Sequence, residues 1–415
     1  MTSQYNIKRC FLEPTDASGL QEPFDLTGGN PTILYHESIL SPSIALSVSV
    51  FDKDAGISRE GISGGERIQV EVEYKGNDLE PFKITEQHKM VVNGVKDLVS
   101  SMKGQTATLE AVSEEVMVNE TARISKRYSD NISTIVEQIL IDDSKGITTS
   151  KTLDQEQSGN KYSFVGNYRK PFDLIQWLQP KAAKDIKKEF GFLFWETLDG
   201  YKFKSIDTIF KEKPEDKEGF SQIELPIDTN FKVMVSDGTP NSDIVMNLNR
   251  GMYANKTIYV DLISGEKTVE DFAIEDIETD KEPPKVPKGL EKKPTKLMFR
   301  ILDQGALQEG PELKKVEKPQ DLAKLQNKSY GRNNLLFSQA VRVVIPLNTK
   351  MRAGKTIMVK FPFNEEPSDE ERKLGEDKDK DFSGQYVIAE LKHEIGDGEA
   401  NTQLTLIRNL SKPTA

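Results

Sequence analysis

Cysteine is nearly absent from this chain of 415 residues: Cys10 stands alone, so no internal disulfide can form. Folding in a reducing compartment is therefore expected. Histidine is almost as scarce, with His36, His88 and His393 far apart and no Cys/His spacing that resembles a zinc site. Each of the three reads as a strand or turn residue. Missing too is any run near the ~18 apolar residues that a membrane helix needs. The opening MTSQYNIKRCF has no apolar centre of a signal peptide, so a soluble protein without a cleaved leader is expected. Nor is positive charge in excess: 30% of residues are charged, yet the net charge is −11. That balance argues against non-specific adhesion to nucleic acid or anionic membrane, and no membrane insertion is expected. What is present is apolar material at 36% of residues, enough for roughly two to four domains with real cores.

Two motif-like stretches fail on context. In MRAGKTIMVKFPF, Gly354, Lys355 and Thr356 look like the end of a phosphate-binding loop, but position 349, where the first glycine belongs, is Thr349. Ile357, Val359 and Phe361 then alternate with Met358 and Lys360, the period of a strand where a phosphate loop opens a helix. A glycine turn into a half-buried strand is the expectation. Gly61-Ile62-Ser63-Gly64-Gly65 fits G-x-S-x-G, but ERIQVEVEY follows, again an alternating strand. A nucleophile elbow needs a helix there, so Ser63 reads as part of a turn. No residue is singled out as catalytic, cofactor-binding or metal-ligating, and no cofactor is expected.

Along the chain, strand-like alternation dominates the first hundred residues in YNIKRCFL, PTILYHESIL, IALSVSVFD, RIQVEVEY, FKITEQ and TATLEAV. Short strands so spaced predict an antiparallel barrel or sandwich. From residue 121 the period changes: Ile124, Tyr128, Ile132, Ile135, Val136 and Ile139 fall on one face of a predicted helix, with Ser129 or Asp130 as caps for a later start. Residues 171–190 predict a second helix, bent or broken at Pro180. GFLFWETLDGYKFKSI predicts a hairpin turning at Asp199-Gly200. Its Phe192, Phe194, Trp195, Tyr201 and Phe203 read better as hairpin core than as a glycan-binding cluster. KTIYVDLI from 256 is again a strand. The proline- and lysine-rich stretch 281–296 reads as a solvated extended loop, and the acidic stretch 364–381 as a loop projecting into solvent.

The chain also repeats itself. Gly65-Glu66-Arg67-Ile68-Gln69-Val70-Glu71-Val72 aligns with Gly354-Lys355-Thr356-Ile357-Met358-Val359-Lys360-Phe361. Upstream, residues 39–53 match 335–350 in length and alternation; downstream, 82–89 match 386–394, and TATLEAV matches TQLTLIRN. Four matches in one order predict an internal duplication. Two copies of a β unit per chain let three chains present a pseudo-six-fold face.

These residues carry a resemblance. Asp25-Leu26, Ile33, Tyr35, Glu37, Ile39-Leu40 and Gly64-Gly65-Glu66 are similar to hub and tube proteins of contractile phages. So are Asn160-Lys161-Tyr162-Ser163-Phe164, Pro171-Phe172 and Asp199-Gly200-Tyr201-Lys202-Phe203. The C-terminal set, Arg332-Asn333-Asn334-Leu335-Leu336-Phe337, Asn348, Met351, Gly354, Gly384-Gln385-Tyr386-Val387-Ile388 and His393, resembles the last tube barrel of hubs and injection-system spikes. The family is the central hub of contractile, T-even-type phage baseplates. The likeness spans most of the chain and departs from it at 281–296 and 364–381.

The resemblance implies an α+β, mainly antiparallel β chain. Its first tube-type barrel would occupy 1–118, a mixed helix/hairpin domain 119–212, a split second barrel 213–264 and 335–415, and a loop-rich insertion 265–334. It further implies a non-enzymatic homotrimer in the virion tail baseplate, assembled in the host cytoplasm. Its partners would be a trimeric spike, tail-tube initiator or tube proteins, and baseplate wedge proteins, with DNA passing through the lumen without specific binding. The competing readings are a tail-associated cell-wall hydrolase, for which no motif selects a carboxylate pair, and a glycan- or receptor-binding tail protein.

Overall fold

The computed structural model describes residues 5–74, 80–142, 145–185, 189–214, 220–221, 233, 235–240, 244–261, 265–276, 289–290, 292–301, 319–336, 339–361, 383–396 and 398–408. The 364–381 loop and most of 281–296 lie outside them. Alternation of apolar and polar residues does form strands, and they build one 14-stranded sheet. Its main path runs Val235–Pro240, Gln339–Pro346, Glu399–Ile407, Gly384–Gly396, Thr32–Ser38, Ala45–Asp52, Gly104–Ser113, Met90–Ser101, Arg67–Tyr74, Tyr5–Glu13 and Phe24–Asp25. Among the described residues the path stays open and no barrel closes. A single apolar cluster underlies both halves, from Cys10 through Ala111 and on from Val233 to Leu406.

The expected duplication is visible in the strand order. In the N-terminal half, Thr32–Ser38, Ala45–Asp52, Gly104–Ser113, Met90–Ser101 and Arg67–Tyr74 lie side by side, all antiparallel. In the C-terminal half, Val235–Pro240, Gln339–Pro346, Glu399–Ile407, Gly384–Gly396 and Thr356–Lys360 repeat that order. One irregularity recurs at a matching place, whereas the further shift between Lys96 and Val99 has no counterpart in Gly384–Gly396. The register shifts between Val92 and Gly94, and again between Ile388 and Glu390. Val92 faces Ala111, which faces Leu46; Ile388 faces Leu406, which faces Val341. Such bulges are built features of a fold, so their coincidence is strong evidence of common design. The glycine turns match as well. Gly65 N donates to Val92 O at 2.8 Å and Gly354 N to Ile388 O at 2.8 Å, while Val92 N and Ile388 N donate back to Glu66 O and Lys355 O. Both glycines have positive φ, 94° and 90°, which a residue with a Cβ adopts only under strain.

One of the four sequence matches needs correction. The counterpart of 386–394 lies in the Met90–Ser101 strand, eight residues after the first match drawn, so His88 and His393 are not equivalent. FKITEQ forms only a short strand, Phe82–Ile84, before a 3-10 turn at Glu86–His88.

The middle of the chain differs from expectation in its first helix. Arg127–Asn131 is a strand paired with Lys161–Val165, and the helix starts only at Ile132. Ile124 and Tyr128 are buried, but through an isolated bridge to Arg169 and through that strand. The second helix, Pro171–Leu178, ends ahead of Pro180, but where 181–190 was expected to continue it the chain forms the paired strands Ala183–Asp185 and Glu189–Phe190. The hairpin Phe192–Thr197 and Gly200–Ser205 turns at Gly200 with φ 113°. Ala254–Val260 pairs with Lys267–Ala273 and Lys296–Ile301 in a separate sheet. That strand therefore stands with the segment expected as an insertion, not with the second β unit. The helix Pro319–Leu335, which contacts the Lys267–Ala273 strand, was not expected. No described helix is long and apolar enough to cross a membrane.

Candidate assembly interface

The two repeats meet at one β joint. The Thr32–Ser38 strand pairs on one side with Ala45–Asp52 of its own repeat and on the other with Glu390–Ile395 of the second repeat. Ile33, Tyr35 and Glu37 alternate toward the interior, and all three are fully buried. Opposite them, Leu391, His393 and Ile395 are equally buried. Tyr35 stacks on His393 with centroids 5.8 Å apart, and Phe82 meets both rings edge-on at 5.2 and 5.5 Å. The joint is thus sealed by an aromatic triad drawn from both repeats.

Its polar groups are satisfied except His393 Nε2, which is buried without a hydrogen-bond partner among the described residues. Tyr35 Oη donates to Glu37 Oε1 at 2.6 Å, and Leu198 N donates to the same oxygen at 2.9 Å. Ala353 N donates to Glu37 Oε2 at 2.8 Å. One buried carboxylate therefore ties the first repeat to the hairpin domain and to the glycine turn of the second repeat. Burial raises its pKa, opposed by the charge of Arg352 and by these hydrogen bonds. Arg352 in turn bonds Asp199 Oδ1 at 3.0 Å and caps the carbonyls of Thr349 and Met351. Beside it, Trp195 Nε1 donates to Ala353 O at 3.0 Å. His393 Nδ1 lies 2.9 Å from Thr402 Oγ1, and burial, with Arg352 second, drives the ring's pKa down to about 3. The histidine is neutral and structural at ordinary pH.

Several residues raised by the sequence converge here: Tyr35 and Glu37 entered as parts of a resemblance, Gly354 also as a turn glycine of the repeat and His393 also as a lone histidine, and the structure gathers them into one cluster. Arg352 was missed, since it lies in no recognisable pattern, and Phe82 entered only as the start of the FKITEQ strand. The other readings resolve locally. Gly354-Lys355-Thr356 is a turn into the Thr356–Lys360 strand. At Ser63, the backbone N–H groups of Ser63 and Gly64 donate to the buried Glu66 carboxylate at 3.4 and 3.1 Å, ahead of the Arg67–Tyr74 strand. His36 sits in the joint strand opposite Ala45 and Lys392, and His88 Nδ1 accepts from Thr85 N at 2.9 Å. Phe192, Phe194, Trp195, Tyr201 and Phe203 are all buried core. Among the described residues no group of three or more His, Cys, Asp or Glu could hold a metal ion.

No family model matches the sequence, and neither does any curated protein. Solved structures do match the fold. The tail protein from Neisseria meningitidis MC58 superposes with a TM-score of 0.54 at 9% identity, over 99% of this chain and 98% of that one. The 43 kDa tail protein of prophage MuSo2 from Shewanella oneidensis gives 0.50 at 12% identity, over 98% and 100%. This is the fold of a phage tail protein. The tail-protein fold extends over nearly the whole chain, the hairpin domain and the separate sheet included.

Proposed function

We propose that this chain is a non-enzymatic hub of a contractile-tail baseplate, in which three copies ring an axis so that six β units match the six-fold tail tube. The carrying observation is the doubled unit: one strand order, one bulge position and one glycine turn, each occurring twice. A three-fold spike on one face and a six-fold tube on the other require this arithmetic. In this reading each β unit contributes to a tube-type barrel completed only in the ring. That accounts for a sheet that stays open in the single chain. In this reading the first β unit occupies 1–118, the helix/hairpin domain 119–212 and the resumed second unit 335–415, with Ala254–Val260 placed in the insertion. Spike, tube and wedge proteins would be its partners in the virion. DNA would pass a lumen kept from adhesion by the acidic balance, −11 per chain.

Native mass measurement of the purified chain, alone and with a trimeric spike protein, tests the reading. A three-chain species in either sample supports it. A chain that stays monomeric in both, or that clears a cell-wall suspension, overturns it in favour of the hydrolase.

A further inference from the structure

The three-stranded sheet outside the repeats is finished on one face only. Lys267–Ala273, Ala254–Val260 and Lys296–Ile301 lie in that order, the last two parallel. On the inner face Thr257 and Tyr259 are buried against the helix Pro319–Leu335. Thr257 Oγ1 donates to Asn327 Oδ1 at 2.9 Å, and Tyr259 shares an apolar cluster with Leu322 and Ala323. Gly331 lets the helix close on Phe272, whose ring an added Cβ would overlap. The outer face is gathered from all three strands. Val269, Ile258 and Phe299 stand abreast, with Val260 beside Ile301 on one side and Leu297 on the other. Val269, Leu297, Phe299 and Ile301 are 53%, 55%, 70% and 63% exposed. Parallel pairs are ordinarily covered on both faces, and a continuous apolar patch marks a contact surface.

The edge of the sheet indicates what covers it. Lys296–Ile301 is the last strand, and among the described residues none lies on its outer side. Its side chains alternate in kind: Leu297, Phe299 and Ile301 are exposed on the apolar face, whereas Lys296 and Arg300 are half-exposed on the inner one. Lys296 Nζ donates to Tyr330 Oη at 3.0 Å, and the Arg300 guanidinium lies 4.8 Å over the Tyr330 ring. Among the described residues neither cation has a carboxylate partner, although the chain carries −11 overall. The opposite edge strand, Lys267–Ala273, mixes Lys267 with Glu270 and Asp271 and has no such division.

We propose that Lys296–Ile301 accepts an added strand from another protein, an extended segment in which apolar and acidic residues alternate. Its main chain pairs with the free edge, its apolar side chains lie beside Leu297, Phe299 and Ile301, and its carboxylates meet Lys296 and Arg300. An amphipathic helix on the apolar face would leave the edge and the cations unanswered. A second copy of the same edge would gather Lys296 and Arg300 of both chains on one face, with no carboxylate between them. Every copy carries this edge, so the contact holds whatever the number of chains in the ring.

Fluorescence anisotropy of short labelled peptides with the full-length chain tests the contact. One peptide alternates valine with glutamate, and a second alternates valine with lysine. A third repeats the first with every amide N-methylated, so that it cannot donate to an edge. The glutamate peptide should bind saturably, and the other two at least ~tenfold more weakly. Phe299→Ser alters a side chain that stands largely in solvent. It should keep the circular dichroism spectrum and weaken the glutamate peptide at least ~tenfold. Lys296→Glu with Arg300→Glu should reverse the preference, so that the lysine peptide binds more tightly. Absence of saturable binding by the glutamate peptide up to ~1 mM overturns the proposal. Equal binding of all three peptides does so too, as does binding that Phe299→Ser leaves unchanged. A chain whose own sedimentation mass falls on Phe299→Ser overturns it in favour of a second copy on this face.

Discussion

A Cβ built on Gly354 would lie 2.5 Å from Trp195 Cζ2, at a φ of 90°. Steric overlap and left-handed strain therefore act together at this turn. Gly354→Val should cost at least ~2 kcal/mol, read as a lower urea midpoint, with Gly354→Ala somewhat milder; unchanged midpoints would show that the turn does not need its glycine. Glu37 sets a different kind of constraint. Glu37→Leu would strand Tyr35 Oη and the N–H groups of Leu198 and Ala353 without an acceptor, and should cost ~3–5 kcal/mol in the same measurement. His393 adds pH dependence. Its pKa is depressed to about 3 in the fold, whereas the unfolded ring titrates near ~6.5. The unfolded state thus binds more protons below that pH, so stability is full above it and falls as pH drops toward the folded value. The slope is at most ~1.4 kcal/mol per pH unit from this one group. His393→Gln should flatten the fall in melting temperature between pH 6.5 and 5. It should leave a shallower slope from His36 and His88, whose pKa values burial also lowers.

At the scale of elements, the first repeat is fastened to the hairpin by a buried ion cluster. Lys151 Nζ lies 2.7 Å from Glu115 Oε2 and 2.6 Å from Glu196 Oε1. Glu196 Oε2 also accepts from Ser113 Oγ at 2.6 Å and Ile44 N at 3.1 Å. Lys151→Met would leave two buried carboxylates without their cation, and should cost ~3–5 kcal/mol. Adding Glu196→Gln should recover part of that loss, as a double-mutant cycle would measure; strict additivity would mean the cluster carries no coupling. Sequence patterning reached the elements unevenly, for physical reasons. Strands with one covered face were plain, as at Ala45–Asp52, Gly104–Ser113 and Glu399–Ile407. Met90–Ser101 was missed because the bulge at Asn93 and the positive φ of Asp97 break its two-residue period. Arg127–Asn131 passed for helix because the burial of Ile124, Tyr128 and Ile132 is spaced by four, although three separate local structures produce it. The helix Pro319–Leu335 gave no apolar period because Gln326, Asn327, Ser329 and Arg332 are buried in it along with Leu322 and Leu325. The joint itself left no local signal at all, since Ile33 and Ile395 meet only once the chain has folded.

For the whole molecule, the joint decides whether the two repeats are separate bodies or one. A continuous sheet and a continuous apolar cluster cross it, so folding free energy should be shared across the repeats. Each has few boundaries at which it could open alone. Leu391, fully buried at the centre of the joint, is the place to test this. Leu391→Ala removes ~2–5 kcal/mol of packing. Its effect should reach amides on both sides, in Ala45–Asp52 as much as in Glu399–Ile407, when followed by native-state hydrogen exchange. Equal loss of protection in the two strands is the expected outcome, because opening either repeat exposes the shared core of the other. Loss confined to the second repeat would make the halves independent bodies hinged at Thr32–Ser38. The ring proposed above would then lack the rigid spacing needed to match a six-fold tube.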